Sequence, residues 1–303
     1  MNTRHWNLIQ GLALAALLPL FAACSSEGDE LLQGEGKQPV QVNITRATMN
    51  DGNDWSWQDK DEIKMNITPY GGTTTEYTLT YQNGNWNNTV LGEMTLPATV
   101  QAWYPSSAGY ESFNFAHDGN SYLVKSPGWD GYTSIVVEGT VNQSSEAEIV
   151  KSDWMTAEQT LRESTLNLTL QHKLCKVTVI ISNYDDYQIE SVRFYTNRIN
   201  NSEGADAGDM SILEVNPLTD ATTHKYTAII SAWTYDDVNV RRPPLMRLRV
   251  NGKDLFSKHT EPLLSGNAYT FNLTVNNPDA TTTRSAGASE CELELVDVED
   301  MNK

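Results

Sequence analysis
Apolar and polar residues alternate through most of the chain. Between residues 166 and 170, Leu166, Leu168 and Leu170 alternate with Asn167 and Thr169. A period of two marks a strand with one dry face and one wet face. After His172 and Lys173 the phase changes. Cys175, Val177, Val179 and Ile181 become the apolar set, with Lys176 and Thr178 opposite. A phase change inside one β run needs a bulge or a break, here near His172. The stretch 166–181 reads as the first strand of a second domain, directly after the boundary.

The same alternation predicts strands on both sides of it. In the first half they are 39–45 (Val40, Val42, Ile44), 62–68, 76–81, 98–104 and 132–138, with Asn83-Gly84 as a tight turn. The segment 105–129 is rich in Gly, Ser and aromatics and reads as a long loop. In the second half the strands are 189–195, 210–215, 225–231, 245–250, 254–257 and 268–275, with Asn251-Gly252 as a hairpin turn. No stretch supports a helix of three turns. The pattern predicts an all-β chain of two antiparallel β-sandwich domains in tandem, 39–164 and 165–275.

The ends behave differently. Residues 276–289, mostly Thr, Ala, Ser and Asn with Pro278 and Gly287, read as a flexible lead. Alternation then returns: Cys291, Leu293 and Leu295 against Glu292 and Glu294, running on to Val296 and Val298. Such a segment on a tether either closes its own sandwich or pairs with another chain. At the other end, Arg4 precedes an apolar run at 8–20, shorter than the ~20 residues of a membrane span. Phe21-Ala22-Ala23-Cys24 resembles a bacterial lipobox. It predicts a signal peptide at 1–23, lipidation at Cys24 and a polar tether over 24–38. A plain secretory signal cut near Ala23 is the alternative.

Charge narrows the partners. With 39 acidic and 21 basic residues the net charge is −18, which argues against nucleic acid and against docking on anionic lipid. Cys175 and Cys291 are either a disulfide or two buried thiols. Catalytic, metal-binding and phosphate-loop motifs are missing, so no catalytic residue, metal or cofactor is expected. Asp51-Gly52-Asn53-Asp54 reads as a solvated turn, because it lacks the spacing of a calcium loop. His117, His172, His224 and His259 are scattered, and His172 reads as a structural hydrogen-bonding residue at the phase change. Arg247 and Arg249 read as the wet face of a strand. Trp55, Trp57, Trp86, Trp103, Trp129 and Tyr110 would suit sugar stacking if exposed, but aromatics in alternating strands usually pack inward.

Several of these features together resemble the fimbrillin family of two-domain outer-membrane lipoproteins, the subunits of type V pili. The features are Cys24, Thr45-Arg46-Ala47 after the first strand, and Trp57-x-Asp59-x-Asp61-x-Ile63. Further along come Ser152-Asp153-Trp154-Met155, Leu170-Gln171-His172-Lys173-Leu174-x-Lys176-Val177 and Leu264-x-Gly266-x-x-Tyr269-x-Phe271-x-Leu273. The resemblance implies two Greek-key, transthyretin-like sandwiches and a non-enzymatic role. It also implies a mechanism. The precursor is anchored in the outer membrane, then cut between Arg46 and Ala47. A β segment of another pilin subunit then fills the place of the first strand. The candidate donor strand in this chain comprises Cys291, Leu293, Leu295, Val296 and Val298. The resulting fimbrium would support adhesion to a host or bacterial surface ligand. A non-polymerising anchor or tip pilin, and a surface glycan-binding lipoprotein, are the alternatives.

Overall fold
The computed structural model describes residues 37–46, 56–128, 131–197, 212–232, 244–257, 262–275 and 290–302. Cys24, Ala47, the signal peptide and the lead 276–289 lie outside the described residues, as do Asp51–Asp54, Trp55, Trp129 and His259. Among the described residues the fold is all-β, with one short α-helix and one 3-10 turn at Tyr184–Asp186. The first six strands are β1 (Gln38–Arg46), β2 (Glu62–Pro69), β3 (Thr75–Gln82), β4 (Asn85–Trp86), β5 (Val90–Met94) and β6 (Ala98–Tyr104). A hairpin of β7 (Tyr122–Gly128) and β8 (Gly131–Asn142) follows, then helix α1 (Glu146–Lys151), β9 (Met155–Leu161) and β10 (Thr165–His172). The remaining strands are β11 (Cys175–Ile181), β12 (Ile189–Asn197), β13 (Ile212–Asn216), β14 (Leu218–Asp220), β15 (Lys225–Ile230), β16 (Met246–Val250), β17 (Lys253–Ser257), β18 (Asn267–Thr274) and β19 (Glu290–Asp300).

Two sheets result. The first runs β4-β3-β2-β6-β9-β10-β1-β5. It folds over where β10 meets β9, since they pair only at Gln171–Thr156 and His172–Met155. Both leaves therefore face one core, holding Val40, Val42, Ile63, Met65, Leu79, Val100, Leu166, Leu168 and Leu170. The second runs β14-β15-β11-β18-β19-β17-β16-β12-β13-β8-β7 and turns where β19 touches β17 at Glu290 and Cys291. Its core holds Val177, Val179, Phe194, Val215, Leu248 and Phe271.

The sheets correct three sequence expectations. They are mixed rather than antiparallel: β1 runs parallel to β10, β11 to β18, β13 to β8 and β17 to β19. The stretch 166–181 is two strands, not one. Its phase change at His172–Lys173 is the step from the first sheet to the second, so 165–172 closes the first sandwich and a boundary at 164/165 falls too early. β8, expected in the first sandwich, and β7, which falls in the segment expected as a loop, form a hairpin at an edge of the second sheet. Alternation fixes which face of a strand is dry; it does not name the strand's neighbours.

The tail strand has a local solution to its own change of phase. β19 lies antiparallel to β18, with Leu293 opposite Leu273, Leu295 opposite Phe271 and Val298 opposite Tyr269. The register shifts between Thr270 and Phe271, which makes Val296 an extra residue on β19. That bulge keeps Leu293, Leu295 and Val298 on one face. Beyond Cys291 the strand has left β17, so Leu295, Val296 and Val298 stay 39%, 54% and 45% exposed. Cys175 and Cys291 are both buried free thiols.

Candidate functional site at the end of the first strand
β1 sits inside a leaf, between β10 and β5. Residues 41–46 pair in register with 165–170 of β10, and residues 38–41 pair with β5. Val40 and Val42 are fully buried and Ile44 packs against the same core. Each fully buried Val or Ile is worth about 1.5–3 kcal/mol, so β1 is held by its dry face. The wet face is also specific. Asn43 donates to Asn167 at 2.8 Å, and the Thr45 hydroxyl lies 2.9 Å from that of Thr169.

The strand ends at Arg46, whose guanidinium turns inward. It donates to the Asp153 carboxylate at 2.5 Å, with the Arg46 side chain only 10% exposed and that of Asp153 wholly buried. His172 Nδ1 sits 2.9 Å from the same carboxylate and is equally buried. The Trp57 ring covers the guanidinium, 5.5 Å from its centroid. Trp57 in turn packs edge-on against Trp86 and Tyr104. The Tyr104 hydroxyl donates to Asp61 at 3.1 Å, and burial beside that carboxylate pushes its pKa up. Burial alone would raise the Asp153 carboxyl. The charges and hydrogen bonds of His172 and Arg46 outweigh that, and hold it below the ordinary value.

Local sequence explains why these groups meet. Helix α1 starts at the cap Ser145, whose hydroxyl accepts from Glu148 N–H. Its Ile149 enters the second core and Val150 the first. After the helix, Trp154 joins the second core and Met155 the first, so Asp153 lies at the seam of the two sandwiches. His172, the last residue of β10, reaches that seam from the other side. Its backbone is clamped by the tail: Asn302 accepts from His172 N–H at 2.6 Å and donates to His172 C=O at 3.1 Å. Gly266 makes room for the clamp. Its φ is +77°, and a Cβ there would collide with the Asn302 amide.

The sequence motifs thus fall into place. In Trp57-x-Asp59-x-Asp61-x-Ile63, Trp57 covers Arg46, Asp59 accepts from Asn83 N–H, Asp61 holds Gln58 N–H and Tyr104, and Ile63 is core. Arg46, Asp153 and His172 stand in three separate motifs, and nothing local joins residues 107 and 19 positions apart. The Ser145-x-x-Glu148 capping box was a legible signal for α1. Trp103 is buried, so it offers no open stacking face. Arg247 is not simply wet: it pairs with buried Glu214 at 2.7 Å. His224 stacks on Tyr184, and His117 accepts from Gly119 N–H.

The family model for fimbrillin-like proteins matches residues 45–290. The chain belongs to the fimbrillin-like family. This fimbrillin-like protein therefore has a pilus-type structural or adhesion role at the cell surface, and its family works through contact with other pilus subunits. Among solved structures it is similar to a fimbrial protein from Bacteroides ovatus, with 12% identity over 84% of this chain and 51% of that one, at a TM-score of 0.45. It is also similar to the C-terminally truncated tip fimbrial protein Mfa3 from Porphyromonas gingivalis, with 10% identity over 87% of this chain and 100% of that one, at a TM-score of 0.42. No curated protein matches it significantly.

Proposed function
We propose that this fimbrillin-like protein is a structural subunit of a type V pilus. It is exported as a lipoprotein through Cys24, held in the outer membrane as a precursor, cut between Arg46 and Ala47, and joined to other subunits by strand exchange. One observation carries the reading: β1 is a nine-residue strand seated inside a leaf, and the candidate scissile residue is its last. Removing residues up to Arg46 would strip a core of Val40 and Val42 and leave β10 and β5 with unpaired hydrogen-bonding groups. A dry slot with two open edges is costly until another strand arrives. β19 is the donor on the other side of the exchange. It is a strand whose outer half has no second neighbour among the described residues and whose Leu295 and Val298 are incompletely covered. A slot on one subunit and a donor strand on the next join subunits head to tail into an open polymer, whether the neighbours are alike or different.

The test is made in cells that assemble the protein. Filaments are sheared off, and the chain in them is sequenced from its N-terminus. The expected first residue is Ala47. Arg46→Ala should leave an uncut chain on the cells, and Cys24→Ala should abolish palmitate labelling. Filament-borne chain that starts at Cys24, or normal filaments from the Arg46→Ala strain, would overturn the reading.

A further inference from the structure
The contact that ends β1 is a built site for a cation. Asp153 and His172 are fully buried, Trp57 closes over the top, and the occupant is the Arg46 guanidinium. We propose that Asp153 and His172 form a cation subsite at the end of the β1 slot. When β1 leaves, the strand that replaces it must bring an arginine or lysine two residues beyond its last inward apolar residue. This rests on the strand-exchange reading above.

The argument is one of spacing and charge. In β1 the inward residues are Val40, Val42 and Ile44, and Arg46 follows on the same face. Once Arg46 has gone, the buried Asp153 carboxylate loses a partner 2.5 Å away. That leaves the buried carboxylate with His172 alone, which is unfavourable, while a charge-assisted hydrogen bond is among the stronger polar contacts available. An incoming strand that enters in β1's direction is therefore selected at this position by charge as well as by its apolar residues.

The chain's own tail fails that selection. Placing Cys291, Leu293 and Leu295 at the Val40, Val42 and Ile44 positions sets Asp297 against Asp153. Using Val296 and Val298 as the inward pair instead sets Asp300 there. Either phase brings a carboxylate to a carboxylate. The slot is tuned to a donor strand that differs from β19, and so to a different subunit rather than a second copy of this chain. Discrimination by a buried charge left short of a partner is a recognised device for choosing among similar partners.

The experiment uses the lipid-free full chain with the recognition sequence of a site-specific protease placed directly after Arg46, cut there. Excess labelled peptide of residues 39–46, amidated at its end, displaces the cut strand, and its Kd is read by fluorescence anisotropy. Peptides with Arg, Lys, Gln or Glu at position 46 are compared on the same protein. The expected order is Arg, then Lys, then Gln, then Glu, with Arg46→Gln at least about tenfold weaker, which is ~1.4 kcal/mol. On Asp153→Asn protein the Arg-to-Gln ratio should fall below about threefold, the coupling a double-mutant cycle reports. A peptide of residues 290–300 should bind worse than its Asp297→Arg, Asp300→Arg form. A flat series across the four peptides on the unmutated protein overturns the subsite alone, whether or not Asp153→Asn folds. Failure of every peptide to replace β1 overturns the strand-release reading and the subsite together.

Discussion

Asp153 is an anion with no access to water, and its neighbours decide whether that helps the fold. Arg46 and His172 contact one carboxylate within 3 Å, and Trp57 covers the arginine. Removing one member of a buried pair leaves the other charge uncompensated. Asp153→Asn is therefore expected to lower stability by ~3 kcal/mol in urea unfolding at neutral pH. The pH dependence follows from the same contacts. The folded pKa is depressed below the ordinary 3.8. The contribution of Asp153 is then fully present above that unfolded value, and is lost as pH falls through the lower folded one. Below about pH 4 the stability of the unmutated protein should fall more steeply than that of Asp153→Asn. Equal slopes for the two proteins would show that the pair does not couple ionisation to folding. All three residues were legible as unusual, each in its own motif. Their meeting was not, because it depends on α1 and β10 reaching the seam from opposite sides.

At the scale of an element, β19 shows what alternation reveals and what it conceals. The sequence shows a β segment whose apolar phase slips after Leu295. The slip has a structural use, because the bulge at Val296 returns Val298 to the face of Leu293 and Leu295. Whether the segment pairs at home cannot be read from its own residues, since its partner β18 is chosen by chain connection and by the clamp at Asn302. Cys291 provides a reporter. It is 5% exposed at home, and burial pushes its thiol up to about 12. It reacts only when β19 opens. Asn302→Ala, or Gly266→Ala which crowds the same amide, is expected to speed Cys291 alkylation by about tenfold, the effect of losing ~1.4 kcal/mol. Cys175, wholly buried between β15 and β18, serves as the unreactive control. Unchanged labelling would mean that Asn302 does not hold the strand.

Across the whole molecule, the all-β class was written in the alternation, and so were most of the strands. The path of the chain between sheets was not. The parallel pairs β1–β10 and β11–β18 join segments far apart in sequence, and the β7–β8 hairpin crosses to the second sheet before β9 and β10 return to the first. Local pattern has no term for such choices; they are made by which dry faces find one another in three dimensions. The seam carrying Asp153 exists because of those crossings, and for that reason it could not be deduced residue by residue.

The parallel seat of β1 also sets a timetable. Asn43 and its partner Asn167 are 124 residues apart. At ~5–20 residues per second of synthesis, roughly 6–25 s separate the appearance of the two. β1 is thus fully seated only when β10, the last-made strand of its sheet, has appeared, and non-local pairings of this kind are slow to form. Nascent chains arrested before residue 165 should leave residues 43–46, which β5 does not pair, open to protease, whereas chains with residue 172 clear of the ribosome should protect them. Early protection would mean that β1 finds a temporary partner. Until β10 appears, β1 has only its β5 edge to pair with and one side stays open, and a polypeptide in that state can still be threaded through a narrow pore.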